Sequence, residues 1–306
     1  MSRRLRADAS LVLATILWGA TFVVVKDALD NASVFAFLAL RFALATVLMA
    51  LIFRRAFQKL DRHQVRAGAL IGTLLFAGYV FQTTGLLYTS PSKAAFITGF
   101  GVVLVPIFSA LFWRRRINRW VGVGASAALL GLYFLTVPPA GLTQLNRGDL
   151  LVLGCAAVFA LHIIVVGRYS ARHPVGALSF LQVATTGMLT TFALPVVALT
   201  GLEPIRINWT AGLLFAVIIT AVFATAICFS IQVWAQQYTT ATHTAIIFTL
   251  EPVFAALTSY ILLSERLGAR ALFGAALILA GILLAELKGP VQAAPDSPGP
   301  VSDSSL

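Results

Sequence analysis

The stretch IIFTLEPVFAALTSYIL at residues 246–262 places a carboxylate beside a helix-breaking residue in an apolar segment. Glu251 is the single residue of this stretch that is costly in hydrocarbon. Pro252 cannot donate to the carbonyl of Phe248, so we expect the helical hydrogen-bond ladder to open there. An open ladder in a bilayer is tolerated only where it faces protein or a wet cavity. The pair predicts an internal polar site. Glu251 there either binds a substrate ammonium or a coupled proton, or completes a structural hydrogen-bond network.

Arg41 and Trp18 are two further residues of unusual type in apolar surroundings. Arg41 lies roughly 13 Å into its span at ~1.5 Å per residue, and a cation at that depth needs a partner or water. It either has a structural role, in which it snorkels or caps a neighbouring helix terminus, or lies at a cavity wall and attracts anionic groups. The other four tryptophans lie near span ends, as interfacial anchors do. Trp18 lies in mid-span beside Gly19, where it either packs in the bundle core or offers an aromatic face to a substrate.

Gln82 and Gln232 are a pair of amides at matching depth, and each either bonds across helices or flanks a central cavity. The remaining candidates for a substrate cavity are aromatic or polar residues within apolar runs, each of which also fits a packing role. They are Tyr79, Thr98, His162, Gln182 and Phe248.

Enzyme chemistry is not indicated. The sequence has no HExxH, no GxSxG, no phosphate-binding loop and no pair of aspartates within a span. Cys155 and Cys228 lie in apolar runs without zinc spacing or a disulfide framework. We therefore expect no catalytic residue, no metal site and no cofactor.

The composition indicates a polytopic membrane protein. Of 306 residues, 59% are hydrophobic and only 11% are charged, against about 25% charged in soluble domains. Mean hydropathy is +0.92. The net charge of +11 fits loop charges that fix membrane orientation, and no nucleic-acid-binding motif accompanies it.

The apolar runs predict an all-α integral membrane protein with ten spans joined by short polar loops. The predicted spans are about 9–26, 33–53, 66–87, 92–113, 119–137, 149–168, 175–200, 210–235, 241–263 and 269–287. Fifteen of the 22 Lys and Arg fall on the side of the N-terminus and six on the other side, so both termini are expected in the cytoplasm. The proline-rich tail, 288–306, is expected to be disordered.

The two halves resemble each other. At an offset of 150, residues 82–134 align without a gap to 232–284, with identical residues at 12 of 53 positions, including Gly124/Gly274 and Gly131/Gly281. The N-terminal parts align at an offset of 141, which places Asp8 on Asp149. An odd number of spans in each half inverts the second half, as in alternating-access transporters. The predicted organisation is an N-terminal segment 1–8, repeats at 9–137 and 149–287, and a linker at 138–148.

Several stretches carry a family resemblance. LWGATFVVVK, LRF and LLYTSPSKAAFITGFGVVLVP resemble the first half, and the EP pair with the following ER resembles the second half, of EamA-type members of the drug/metabolite transporter superfamily. The resemblance covers roughly residues 9–287. The small multidrug resistance branch of that superfamily exchanges protons at an acidic residue in its first span. No acid lies between Leu11 and Val25 here, so that mechanism is not carried over.

The resemblance implies a permease of small metabolites in the inner (plasma) membrane, built as two inverted five-helix repeats around a midplane cavity. An amino acid or related amphipathic compound is one candidate substrate, and export, import, facilitated transport and proton coupling all remain open. The expected partners are the substrate and the lipid bilayer, with protons as a candidate coupling ion. Nucleic acid is not expected as a partner, and the protein is expected to be a monomer. The alternative function is a non-transporting membrane scaffold or a lipid-handling protein.

Overall fold

The computed structural model describes residues 3–54, 60–113, 119–136, 146–264 and 268–288. This part of the chain contains no β-strand, only an isolated bridge between Ala32 and Ile207. The helices are α1 (Arg3–Ala28), α2 (Val34–Ile52), α3 (Arg62–Leu86), α4 (Pro91–Gly99), α5 (Gly101–Trp113), α6 (Arg119–Thr136), α7 (Arg147–Ser170), α8 (Val175–Thr200), α9 (Ala211–Ile219), α10 (Cys228–Ala235), α11 (Ala241–Ile247), α12 (Leu250–Leu263) and α13 (Ala269–Lys288). A π-helical segment, Thr220–Ile227, joins α9 to α10.

Eight helical segments in the described ranges are long and apolar enough to cross a membrane. They are α1, α2, α3, α4 with α5, α7, α8, α9 through α10, and α11 with α12. Helices α6 and α13 occupy the other two predicted positions, and in α13 a shorter apolar stretch, Ala269–Gly281, is present. The all-helical membrane architecture is confirmed, whereas the count of ten spans stays a prediction. The helix of the first span begins at Arg3, six residues before the predicted start of the span.

The helix ends follow the local chemistry of the sequence. Side-chain oxygens of Asp61, Ser90 and Thr240 each accept from the backbone N–H three residues ahead, which supplies partners for the unpaired amides of a first turn. Asn146 and Asp149 form a reciprocal capping box at the start of α7. Gly201, with φ of 69°, ends α8 in the left-handed conformation that glycine adopts without strain.

Two membrane-crossing segments are broken at nearly equivalent positions under the offset of 150. The break predicted at Pro252 lies three to four residues earlier, between α11 and α12 at Phe248 and Thr249, and Pro252 itself is in the first turn of α12. The other break, at Phe100 between α4 and α5, lies one to two residues from the equivalent position. Gly99 and Gly101 flank that second break, and no proline is needed there. The matching breaks favour the predicted repeat, although the repeat itself stays a prediction.

Close glycine contacts join α6 to α13 in a reciprocal pattern. A Cβ on Gly131 would lie 2.5 Å from the carbonyl oxygen of Gly274, and a Cβ on Gly281 would lie 2.5 Å from that of Gly124. The offset of 150 that relates the two halves of the sequence converts one contact into the other. Small residues let helix backbones approach closely, which supplies much of the packing energy inside a bilayer. The glycines that align between the two halves are thus close helix contacts.

Large apolar side chains also cover the outer surface of the bundle. Leu111, Phe192 and Leu199 are 70%, 67% and 88% exposed, which suits a surface that lipid covers rather than water. The predicted linker and the tail lie outside the described residues, except at Asn146, Arg147, Gly148 and Lys288.

Candidate functional site

A cavity of about 80 Å³ lies where the two broken segments meet α1, α2, α3, α7 and α10. Nine of the ten residues predicted to line a substrate cavity are on its wall. They are Trp18, Arg41, Tyr79, Gln82, Thr98, His162, Gln232, Phe248 and Glu251. The tenth, Gln182, is fully buried outside the lining. Sequence positions far apart therefore converge on one space.

Glu251 lies in the first turn of α12, directly after the helix break. Pro252 has no N–H to donate to the carbonyl of Phe248. That carbonyl instead accepts a 3₁₀-type hydrogen bond from the backbone N–H of Glu251, three residues ahead, at 3.0 Å. The side chain of Glu251 is therefore not needed to satisfy the opened ladder. Within the described residues, no hydrogen bond or ion pair reaches its carboxylate, which lines the cavity. A helix N-terminus favours a negative charge at this position.

Two glycines allow the helix break to lie this deep in the bundle. A Cβ on Gly19 would lie 2.7 Å from the carbonyl oxygen of Glu251, so α1 contacts the backbone of α12 directly. A Cβ on Gly99 would lie 3.0 Å from Cγ of Pro252. The break of the second half thus packs against the break of the first half and against α1. These contacts bring Glu251 and Thr98 to the same cavity.

Arg41 is 2% exposed, and its contacts link α2 to α3 and to the π-helical segment. Its Nε donates to Thr225 Oγ1 at 2.8 Å, and its Nη2 donates to the Tyr79 hydroxyl at 2.9 Å. The guanidinium also lies 4.5 Å from the centroid of the Tyr79 ring, within the range of a cation–π interaction. No carboxylate of the described residues lies within ion-pairing distance of Arg41. The cavity therefore has a cation and a carboxylate on its wall that do not pair with each other.

The π-helical segment provides the acceptor that positions Trp18. In this segment Thr225 Oγ1 donates back five residues to the Thr220 carbonyl. The Ala224 carbonyl accepts from Trp18 Nε1 at 2.7 Å and from Arg41 Nη2 at 3.5 Å. Single π-turns within α-helices are frequent at functional sites because they redirect backbone groups.

Aromatic rings form much of the remaining wall. Trp18 packs edge-on against Phe248 with centroids 5.0 Å apart, and its centroid lies 5.4 Å from that of Phe229. Tyr79 packs against Phe159 at 5.6 Å and Phe229 at 6.2 Å. These geometries are typical of well-packed aromatic clusters. The wall thus presents flat apolar faces beside a few polar groups, a combination that suits an amphipathic ligand.

The two amides predicted as a matching pair both reach the cavity, with different partners. Gln82 Nε2 donates to Thr98 Oγ1 at 3.4 Å. Gln232 Nε2 donates to Gln236 Oε1 at 3.2 Å, and Gln236 in turn donates to the Ile163 carbonyl. Both amides thus bond to protein and also line the cavity, so the two interpretations from sequence are compatible.

Gln182 has a different position from the one expected. Its Oε1 accepts from His162 Nε2 at 3.1 Å, and His162 lines the cavity whereas Gln182 does not. Its Nε2 has no hydrogen-bond partner among the described residues. Gln182 therefore orients the His162 ring. The backbone carbonyl of Gln182 also packs against Gly72.

Sequence reasoning missed several wall residues and both irregular segments near them. Phe159 and Phe229 line the cavity, but phenylalanines in an apolar helix carry no signal that separates a wall from a core. The π-helical segment TAVFATAI has no proline, so its sequence gives no warning. The Gly99 and Gly101 pair that flanks Phe100 is the one signal that could have predicted the first-half break. In the described residues, no group of three or more His, Cys, Asp or Glu could hold a metal ion.

The comparisons with known proteins agree with this architecture. A protein of Archaeoglobus fulgidus named as an uncharacterized transporter is 38% identical over 286 residues, covering 94% of this chain and 87% of its own. The uncharacterized transporter YoaV of Bacillus subtilis (strain 168) is 22% identical over 90% of this chain and 94% of its own. One crystal structure of a protein 19% identical shares the fold, with a TM-score of 0.69 over 92% of this chain and 97% of that chain. The model of the EamA-like transporter family matches residues 5–137 and again 146–287. The chain belongs to the EamA-like transporter family.

Proposed function

We propose that this protein is a carrier that moves small amphipathic metabolites across the plasma membrane by alternating access around the central cavity. Glu251 would bind the positive part of the solute, Arg41 the negative part, and the ring faces of Trp18, Phe229 and Phe248 its apolar part. Zwitterionic compounds such as amino acids have this distribution of charge. The proposal includes two inverted repeats, ten spans and cytoplasmic termini.

One observation carries the proposal. An arginine from the first half and a glutamate from the second half line one aromatic cavity without forming an ion pair. An uncompensated carboxylate inside a bilayer protein is costly, and such residues usually belong to a solute or ion pathway. A scaffold would gain nothing from leaving the carboxylate of Glu251 unpaired.

Further support comes from the internal symmetry. The family model matches the chain twice, over ranges close to the predicted repeats. The two helix breaks and the reciprocal glycine contacts between α6 and α13 support the proposed inverted repeat. Broken helices that meet at a midplane site are a recurrent feature of secondary transporters.

Counterflow in proteoliposomes tests the proposal. Vesicles containing the purified protein are loaded with unlabelled amino acids and related amphipathic metabolites, one class at a time, and labelled solute is added outside. We expect transient uptake above equilibrium for at least one zwitterionic class, because a carrier exchanges bound solutes. Flux without counterflow would indicate a channel, and no flux with any class would favour a scaffold or a lipid-handling protein.

The proposed topology gives a separate prediction. A cytoplasmic-type reporter fused after Lys288 should be active, and the same reporter inserted in the loop 138–147 should be inactive. The bias of Lys and Arg toward the side of the N-terminus is the physical reason. An exported-type reporter at both positions is the control and should give the reverse pattern. Equal compartments for the two positions would contradict the ten-span arrangement.

A further inference from the structure

Two ion pairs in the structure are related by the same offsets as the two halves of the sequence. Lys93 Nζ lies 2.7 Å from Asp149 Oδ2, and His243 Nε2 lies 3.1 Å from Asp8 Oδ1. An offset of 150 converts Lys93 to His243, and an offset of 141 converts Asp8 to Asp149. Among the described residues these are the two pairs of an acidic and a basic side chain within 4 Å, and the second is an ion pair when His243 is protonated. Each half therefore contributes one basic residue to a pair completed by the other half's first helix.

The basic residue of each pair lies near the start of a half-helix whose other end reaches the cavity. Lys93 lies in the first turn of α4, and Thr98 at the end of α4 lines the cavity. His243 lies in the first turn of α11, and Phe248 just beyond α11 lines the cavity. Each half-helix is thus held by a side-chain pair at one end and ends in a helix break at the other. Such an element can tilt about its break when the pair separates.

The two pairs lie at opposite ends of the bundle. Asp8 lies near the start of α1 and Lys26 near its end, about 27 Å apart at the α-helical rise. Lys26 Nζ donates to the carbonyls of Leu86, Leu87 and Thr89. Thr89 Oγ1 in turn donates to Asp149 at 3.0 Å. The Lys93–Asp149 pair is therefore at the Lys26 end of α1, and the His243–Asp8 pair is at the other end.

The two pairs differ in strength. Asp149 is 3% exposed and accepts from Thr89, Lys93 and the backbone of Asn146. Asp8 is 25% exposed, and His243 is its one side-chain partner among the described residues. Thr239 is the counterpart of Thr89 in the second half, and its Oγ1 has no hydrogen-bond partner among the described residues. The pair at the Lys26 end is thus the more completely bonded of the two.

We propose that these pairs are the two latches of the transport cycle. The outer latch (Lys93 and Asp149) holds α4 against α7, the inner latch (His243 and Asp8) holds α11 against α1, and each closes one face of the cavity. The names follow the predicted orientation. Both latches are formed in the structure. Opening one latch lets its half-helix pivot at Phe100 or at Phe248 and admits solute from that face. This inference rests on the proposed carrier function.

The experiment measures access to the cavity from each face and needs no knowledge of the substrate. In a protein with Cys155 and Cys228 replaced by alanine, Ile163→Cys on the cavity wall is the reporter. One latch at a time is replaced by a pair of cysteines, either Lys93→Cys with Asp149→Cys or Asp8→Cys with His243→Cys. A short, reducible bifunctional thiol reagent joins the two cysteines of the pair before the reporter is probed. During that step the reporter is protected by a removable thiol cap. Labelling by a membrane-impermeant maleimide is then followed in right-side-out and inside-out vesicles.

Closing the outer latch should leave the reporter labelled from the inner face alone, and closing the inner latch should leave it labelled from the outer face alone. Partial reduction that releases the crosslink is the matched control and should restore labelling of the reporter from both faces. Two results would overturn the proposal. One is labelling from the face whose latch is crosslinked at the rate of the uncrosslinked protein. The other is no labelling of the crosslinked protein from either face. Failure of the carrier proposal is distinct, because it appears as absent solute flux in the unmodified protein.

Single substitutions provide a second measurement that does not depend on crosslinking. Lys93→Met removes the charge at similar length, and we expect labelling from the outer face to rise about two- to tenfold, the equilibrium factor of one net hydrogen bond. His243→Lys makes the inner latch chemically like the outer one and should lower labelling from the inner face by a similar factor. Unchanged labelling in both variants would contradict a latch role for these pairs.

Discussion

Glu251→Gln should lower the flux of a cationic or zwitterionic solute by tenfold or more while the protein expresses and melts like the wild type. A charged hydrogen bond to an ammonium contributes about 1.5–3 kcal/mol, more than a neutral amide provides, and a loss of about 1.4 kcal/mol already corresponds to tenfold in affinity. Glutamine keeps the shape of the side chain. The fold should tolerate the change because, in the described residues, no bond to the Glu251 carboxylate is lost.

Counterflow and pH-gradient-driven flux in proteoliposomes measure the effect, with thermal melting as the check on folding. Glu251→Ala is the matched control for architecture. It should be about as stable as the glutamine variant, since the opened Phe248 carbonyl is satisfied by backbone rather than by the glutamate side chain. Equal flux and equal pH dependence in wild type and the glutamine variant would leave Glu251 with a structural role alone.

Arg41→Met should abolish transport of solutes that carry a carboxylate while it preserves the fold. A buried cation has a desolvation penalty of several kcal/mol, which offsets much of what its bonds to Thr225 and Tyr79 contribute. An apolar side chain of similar volume therefore changes stability little. The cavity, however, loses its one positive charge among the described lining residues.

Two companion variants separate charge from structure at this position. Arg41→Met combined with Tyr79→Phe leaves no tyrosine hydroxyl without a partner and should melt no lower than the single variant. Arg41→Lys keeps the charge but lacks the planar fork that bonds Thr225 and Tyr79 together, so we expect intermediate flux. Binding and flux are measured for an amino acid and for its amide, which lacks the carboxylate. Wild-type flux of the amino acid through the methionine variant would contradict a role for Arg41 in solute binding.

The sequence predicted the parts of this molecule that single residues determine locally. Glu251 and Pro252 were identified because a carboxylate and a missing N–H are both expensive in hydrocarbon. The alignment matched Gly124 with Gly274 and Gly131 with Gly281, and glycine permits a backbone approach that other residues prevent. Hydropathy predicted the helical segments to within a few residues, apart from the start of α1.

Features that depend on which residues contact each other across helices could not be predicted from the sequence. Gln182 and His162 are both polar residues within apolar runs, and only the packing of α3 against both α7 and α8 decides that His162 lines the cavity and Gln182 does not. The π-helical turn depends on Thr225 bonding five residues back while it accepts from Arg41 on another helix. The alignment did place Asp8 on Asp149, but that the two aspartates hold equivalent basic residues is a property of the fold.

If a solute-accessible cavity lies between the halves of the chain, cysteines placed on its wall should react with small thiol reagents. Single cysteines at Trp18, Gln82, Gln232 and Glu251, in a protein without native cysteines, are exposed to a small water-soluble thiol reagent from each face in turn. We expect all four to react from both faces, and we expect a counterflow-active solute to protect them. Protection of all four from both faces, with or without solute, would show a solid structural core and contradict the account.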